Sequence, residues 1–267
     1  MMQRRNFLKE SALVVTAAVT ASGAVHASAQ AQKEKSSKEL YEWRRYFFPD
    51  TDSKWKFDQF CAQYLLPRFS GLGIKGAAFF EEPEAQDAKP SPLTMHFMTV
   101  YTDIAQYQEV KARLFEDKTF LEQSAAFYEE TAVKPLYSRF ETFLLEAFEN
   151  FPKLSTSPDR RLFQMRLYES PNEEAGQRKI KMFNSGEMSV FKEVGLNIAF
   201  FGEILSGPQM PGLLYSLSFK DMAECRAAWG RFGSHPRWKA MDADPAFKNT
   251  VSKVNNVYLT PRSYSTL

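Results

Sequence analysis

Histidine and cysteine are scarce in this chain, three of one and two of the other in 267 residues. No His-x-His or Cys-x-x-Cys spacing occurs, so neither residue type builds a recognisable metal framework. An excess of one charge is also missing. Lys and Arg total 34 against 32 Asp and Glu, without a basic cluster, and nucleic-acid binding is set aside. No apolar run reaches the roughly 20 residues that span a bilayer. What the chain has instead is aromatic residues, 15% of the total with 24 Phe among them, enough for a large packed core.

The first residues stand apart from that core. Paired Arg4 and Arg5 are followed by Phe7 and Leu8, a weakly apolar run from Ala12 to Val25, and the small-x-small triplet Ala27-Ser28-Ala29. This layout is that of a cleaved secretory signal over residues 1–29, and Arg-Arg-Asn-Phe-Leu-Lys resembles the bacterial twin-arginine signal. The expected partner is the twin-arginine export machinery, and the expected location is the periplasm or the exterior. Cleavage removes three basic residues and one acidic residue, leaving 31 of each sign. The mature chain is expected to have no stable membrane span, and a homo-oligomer stays open. Cys61 and Cys225 fall on apolar stripes of expected helices and are read as free thiols.

Beyond a stretch at 30–38 that is expected to be flexible, the chain repeats itself. Residues 39–81 laid on 161–203 without a gap give nine identities, Leu40, Arg44, Tyr46, Pro49, Phe69, Gly73, Ala77, Phe79 and Glu81 each meeting its own type 122 positions later. A four-residue deletion then shifts the offset to 118, where Asp103 meets Asp221. The pattern predicts two repeats, 39–148 and 160–267, joined by a Pro- and Ser-containing linker at 149–159. Alternation predicts strands at 39–48, 74–81, 93–101 and 139–148, and helical spacing predicts helices at 53–69 and 103–128. The second repeat follows the same order, with strands at 160–169, 196–205, 212–219 and 252–265 and helices at 174–193 and 221–242. The order β-α-β-β-α-β is that of a ferredoxin-like unit, whose helices cover one sheet face. The expected fold is therefore α+β, two tandem ferredoxin-like units packed sheet to sheet as a fused barrel.

Tyr41-Glu42-Trp43-Arg44-Arg45-Tyr46 and Phe163-Gln164-Met165-Arg166-Leu167-Tyr168 resemble the opening strand of NIPSNAP domains. The Trp229, Phe232, Pro236 and Trp238 pattern is similar to that family's later signature, with His235 where the family usually has an acidic residue. The resemblance implies the fold of the dimeric α+β barrel superfamily. If the chain is an enzyme, it implies cofactor-independent monooxygenase-like or haem-degrading-like chemistry, with haem implied by superfamily resemblance alone.

The residues themselves offer few catalytic arrangements. Gly71-Leu72-Gly73-Ile74-Lys75-Gly76 matches the dinucleotide fingerprint in letters, but a helix precedes it and a strand follows, the reverse of what pyrophosphate binding needs. Glycine closing a helix explains it better. Glu81 and Glu203 recur at strand ends, where solvated charges are commoner than general bases. His96 stands where the other repeat has Leu214, and this copy-specific polar group is weighed against an ordinary core histidine. Glu42, Arg44 and Tyr46 share one strand face, as do Gln164, Arg166 and Tyr168. Since Phe163, Met165 and Leu167 are wholly apolar, they are expected under the helices, which puts the Arg/Tyr faces inside the barrel. There these residues and His96 form the candidate site for a small apolar, carbonyl-bearing or anionic ligand. Segment 206–212 is read as a flap over one mouth. The alternative is a non-catalytic interaction module with a filled barrel.

Overall fold

The computed structural model describes residues 38–83 and 93–266. The expected export residues Arg4, Arg5, Phe7 and Leu8 lie outside the described residues. The first half runs β1 (Leu40–Phe47), α1 (Thr51–Phe60), α2 (Leu66–Gly71), β2 (Gly76–Glu81), β3 (Thr94–Tyr101), α3 (Ile104–Arg113), α4 (Lys118–Val133) and β4 (Arg139–Ala147). The second half runs β5 (Leu162–Glu169), α5 (Glu173–Met182), α6 (Met188–Val194), β6 (Asn197–Ser206), β7 (Gly212–Phe219), α7 (Met222–Ser234), α8 (Pro236–Ala243) and β8 (Lys253–Pro261).

Local chemistry starts and stops these elements at matching places. Asp50 and Asn172, 122 residues apart, cap α1 and α5 by accepting from the amides of Ser53 and Ala175. Asp103 and Asp221, 118 apart, do the same for α3 and α7. Such caps satisfy amides that have no partner inside the helix. A π-turn joins α1 to α2 at Cys61–Leu65, and another joins α5 to α6 at Phe183–Glu187. Gly73 and Gly195 leave their helices with φ of 82° and 79°, the left-handed conformation that glycine adopts without strain. Two expected long helices are broken. Asp117 caps a fresh helix after α3, and Pro236, unable to donate inside α7, begins α8. His235 sits at that junction without a side-chain capping bond, its ring 3.4 Å from Glu193 instead.

The eight strands among the described residues form one closed antiparallel barrel in the order β1-β3-β2-β8-β5-β7-β6-β4. Reading around it gives β4-β1-β3-β2 and then β8-β5-β7-β6, the same order with each number raised by four. The seams join β2 to β8 and β4 to β6, so neither half keeps a free sheet edge. The inside is apolar, with Tyr41, Trp43, Phe80, Phe143, Phe163 and Phe200 among its buried residues. Two further cores lie between barrel and helices, one around Tyr46, Phe57 and Phe97 and one around Tyr168, Phe183 and Phe201.

This arrangement reverses the expected faces. Trp43, Phe163, Met165 and Leu167 fill the barrel, while Tyr46 and Tyr168 pack under the helices. The closed interior gathers side chains from eight strands and takes the set with least charge to desolvate. The layer between barrel and helices holds the polar groups in pairs, as Arg44 with Glu42 and Lys179 with Glu187. Cys61 and Cys225 are buried free thiols. No helix among the described residues is long and apolar enough to cross a membrane.

Candidate functional site in the barrel mouth

The candidate residues divide into three places. Glu42, Arg44 and Tyr46 lie under the first-half helices; Gln164, Arg166 and Tyr168 lie under the second-half helices. With β1 and β5 on opposite sides of the barrel, the two arginines are far from sharing a ligand. Only His96 keeps its expected position on the inner face.

In the first half the polar group closes on itself. Arg44 Nη2 lies 2.8 Å from Glu42 Oε1, Nε donates to the same oxygen at 2.9 Å, and Nη1 donates to Tyr46 Oη at 3.3 Å. Tyr101 Oη donates to the other carboxylate oxygen at 3.1 Å. Burial opposes the charge on Arg44, but Tyr46 and Glu42 raise its pKa above the ordinary value. A buried arginine paired with its own carboxylate in this way is structural.

The barrel centre is filled too. The space left among Trp43, Phe80, Met98 and Phe163 is about 10 Å³, too little for anything but at most one water. At one mouth, however, the barrel opens into a cavity of about 400 Å³. Its floor is Trp43, Phe143, Met165, Leu167 and Leu214, and its rim includes Arg45, Glu82, His96, Gln209 and Asn255. Gln209 belongs to the segment expected as a flap, and its amide donates to Glu169 at 3.1 Å. At this mouth polar residues stand where the centre has aromatic and aliphatic ones.

His96 is 2% exposed and its ring lies 5.5 Å from that of Trp43. Nε2 is 3.4 Å from Glu82 Oε1, which also accepts from Thr94 Oγ1 at 2.7 Å. Burial lowers the imidazole pKa against the opposing pull of Glu82, so the ring is neutral at pH 7. With Glu82 accepting at Nε2, the lone pair falls on Nδ1. That nitrogen is buried and has no hydrogen-bond partner. Beside it, Arg45 is neutralised by Glu141 through contacts of 3.2 and 2.5 Å. Burial works against the Glu141 charge, yet the hydrogen bonds from Arg45 and Arg139 hold its carboxyl below the usual range. The mouth thus presents one neutral base on an apolar floor, with the nearby charges paired. No group of three or more His, Cys, Asp or Glu that could hold a metal occurs among the described residues.

Sequence reasoning missed Trp43, Arg45 and Glu82 as neighbours of His96. The available signal was the alternation of β1, which places Trp43 and Arg45 on one face, had that face been turned inward.

Residues 163–266 match the NIPSNAP family. No curated protein matches the chain. Among solved structures, a candidate monooxygenase from Lactobacillus acidophilus is 8% identical, covers 84% of this chain and 94% of its own, and superposes with a TM-score of 0.54. A candidate monooxygenase from Fusobacterium nucleatum is 9% identical over 84% of this chain and 93% of its own, with a TM-score of 0.52. An anthrone oxidase-like protein is 8% identical over 84% of this chain and 92% of its own, with a TM-score of 0.50. These likenesses concern the fold.

Proposed function

We propose that this chain, with its NIPSNAP match over the second half, is an exported barrel protein built from two ferredoxin-like repeats, and that it binds a small apolar molecule with an acidic hydroxyl in the barrel mouth. The repeated strand order, helix caps and π-turns support the duplication. The observation that carries the ligand reading is the orphaned Nδ1 of His96, on a ring that lines a 400 Å³ cavity with an apolar floor. A buried acceptor without a partner is costly, and a ligand hydroxyl removes that cost.

The chemistry follows from the pairing. Glu82 orients the imidazole through Nε2, and Nδ1 accepts the proton of an enol or phenol held against Trp43 and Leu214. Glu82 then stabilises the imidazolium. Proton removal leaves an electron-rich enolate or phenolate, the form in which such rings give electrons to dioxygen. That reading agrees with the oxidative descriptions of the structural neighbours, and the proton-transfer step is the part the residues of this chain supply.

Calorimetric titration with 2-naphthol and with its methyl ether tests the reading. The naphthol should bind about tenfold or more tightly than the ether, because only the naphthol satisfies Nδ1. In His96→Leu, which restores the residue of the other repeat, the two should bind alike. Equal binding of both compounds by the unaltered protein contradicts the proposal.

A further inference from the structure

A second cavity of about 400 Å³ lies outside the barrel, between β5 and the second-half helices, walled by Arg166, Lys179, Trp229 and Trp238. Its chemistry departs from the matching space in the first half at four pairs of positions. Gln164 stands for Glu42, so the acceptor is kept and the charge is lost. Trp229 stands for Lys111, whose ammonium lies 3.9 Å from Glu42, and the indole Nε1 donates to Gln164 Oε1 at 2.6 Å. Lys179 replaces Phe57, which packs on Tyr46 with ring centroids 4.6 Å apart. Glu187 replaces Leu65 and takes the Lys179 ammonium at 2.7 Å, a buried ion pair spanning the π-turn.

The charge count that results is uneven. Lys179 has a carboxylate in contact; Arg166 has none at ion-pair distance, with Glu187 acting on it at longer range and Asp242 also lining the cavity. The partners of the Arg166 guanidinium are phenol hydroxyls, with Nη2 and Nε donating to Tyr168 Oη at 3.0 and 3.3 Å. It also stacks over Trp229 at 4.6 Å. Arg44, at the same place in the first half, holds the Glu42 carboxylate. A guanidinium partly withdrawn from water and stacked on indole is suited to a planar oxyanion, which it meets with two parallel hydrogen bonds.

We propose that this cavity binds an aromatic carboxylate, with Arg166 facing the carboxylate and Trp229 and Trp238 flanking the ring. In the first half, Glu42 is the chain's own occupant of the corresponding anion position. The site is separate from the barrel mouth and does not depend on His96.

Isothermal titration with 2-naphthoate and neutral 2-naphthamide separates charge recognition from burial of an apolar ring. The unaltered protein should bind naphthoate about tenfold or more tightly than naphthamide. Gln164→Glu supplies the missing counter-charge from within, as Glu42 does for Arg44, and should weaken naphthoate about tenfold while leaving naphthamide nearly unchanged. Arg166→Gln should give the same pattern, so a folding defect in either variant leaves the other as the test. The melting temperature of Gln164→Glu should hold or rise. Naphthoate binding that survives both substitutions, naphthamide binding equal to naphthoate, or no naphthoate binding at concentrations on the order of a millimolar overturns the proposal.

Discussion

Arg44 and Arg166 stand at the same point of their strands, paired across the sheet with Phe97 and Tyr215, and the residue two positions before each sets them apart. Glu42 lies 2.8 Å from the first guanidinium, whereas Gln164, its counterpart, accepts from Trp229. One arginine is closed into the scaffold and the other is left with charge to spare.

The two arginines should therefore respond differently to removal. Arg44→Met leaves Glu42, 1% exposed, with only the distant Lys111 ammonium as counter-charge, and should cost about 3–5 kcal/mol. Arg166→Met strands no carboxylate and should cost about 1 kcal/mol, mainly the lost stacking and hydrogen bonds. Urea denaturation of the two single variants measures the contrast, and equal losses would contradict it.

Tryptophan positions give a second contrast. Trp43 is 3% exposed inside the barrel, and Trp43→Ala should cost about 3–5 kcal/mol. Trp55 is 60% exposed on α1, and Trp55→Ala should shift stability by no more than about 0.5 kcal/mol. Thermal melts of both variants check the assignment of inner and outer faces.

His96 makes stability depend on pH in a known direction. Its folded pKa is lowered by burial, so the unfolded chain binds the proton more readily. The contribution is fully present above the unfolded value of about 6.5 and is lost progressively as pH falls below it. His96→Leu should flatten that slope on the acid side of about pH 6.5. An unchanged slope would show that another group titrates there.

Export is tested at the other end of the chain. On the proposed twin-arginine reading the paired guanidiniums are the recognition element, and Arg4→Lys combined with Arg5→Lys should hold the precursor in the cytoplasm. Cell fractionation reads the outcome, and undiminished periplasmic accumulation of the double variant refutes the twin-arginine reading.

Strand positions were legible in the sequence because alternation and turn residues mark them, as at β4 and β7, and the order of elements in the two halves pointed to an α+β barrel. Which face turns inward was not legible from β1 and β5 alone. Each face of both strands carries at least one aromatic, and the argument that an apolar set belongs under helices applies equally to a closed interior. Leu214 opposite His96 was a usable clue because it compares one inner position in two settings. The pairing of Gln164 with Trp229 was hidden, since it joins positions that shift by 122 and by 118 and is seen only when the helix docks. Helix breaks at Asp117 and Pro236 were marked by capping residues but masked by continuous helical spacing.

The central claim, that His96 is a neutral base awaiting a ligand proton in the barrel mouth, is tested most directly by ¹⁵N NMR of the His96 ring during titration with 2-naphthol. The free protein should show Nε2 protonated and Nδ1 unprotonated at pH 7, and added naphthol should move the Nδ1 resonance toward that of a hydrogen-bonded or protonated nitrogen while Nε2 stays nearly fixed. A ring protonated at both nitrogens before ligand is added, or an Nδ1 resonance unmoved by saturating naphthol, would contradict the account.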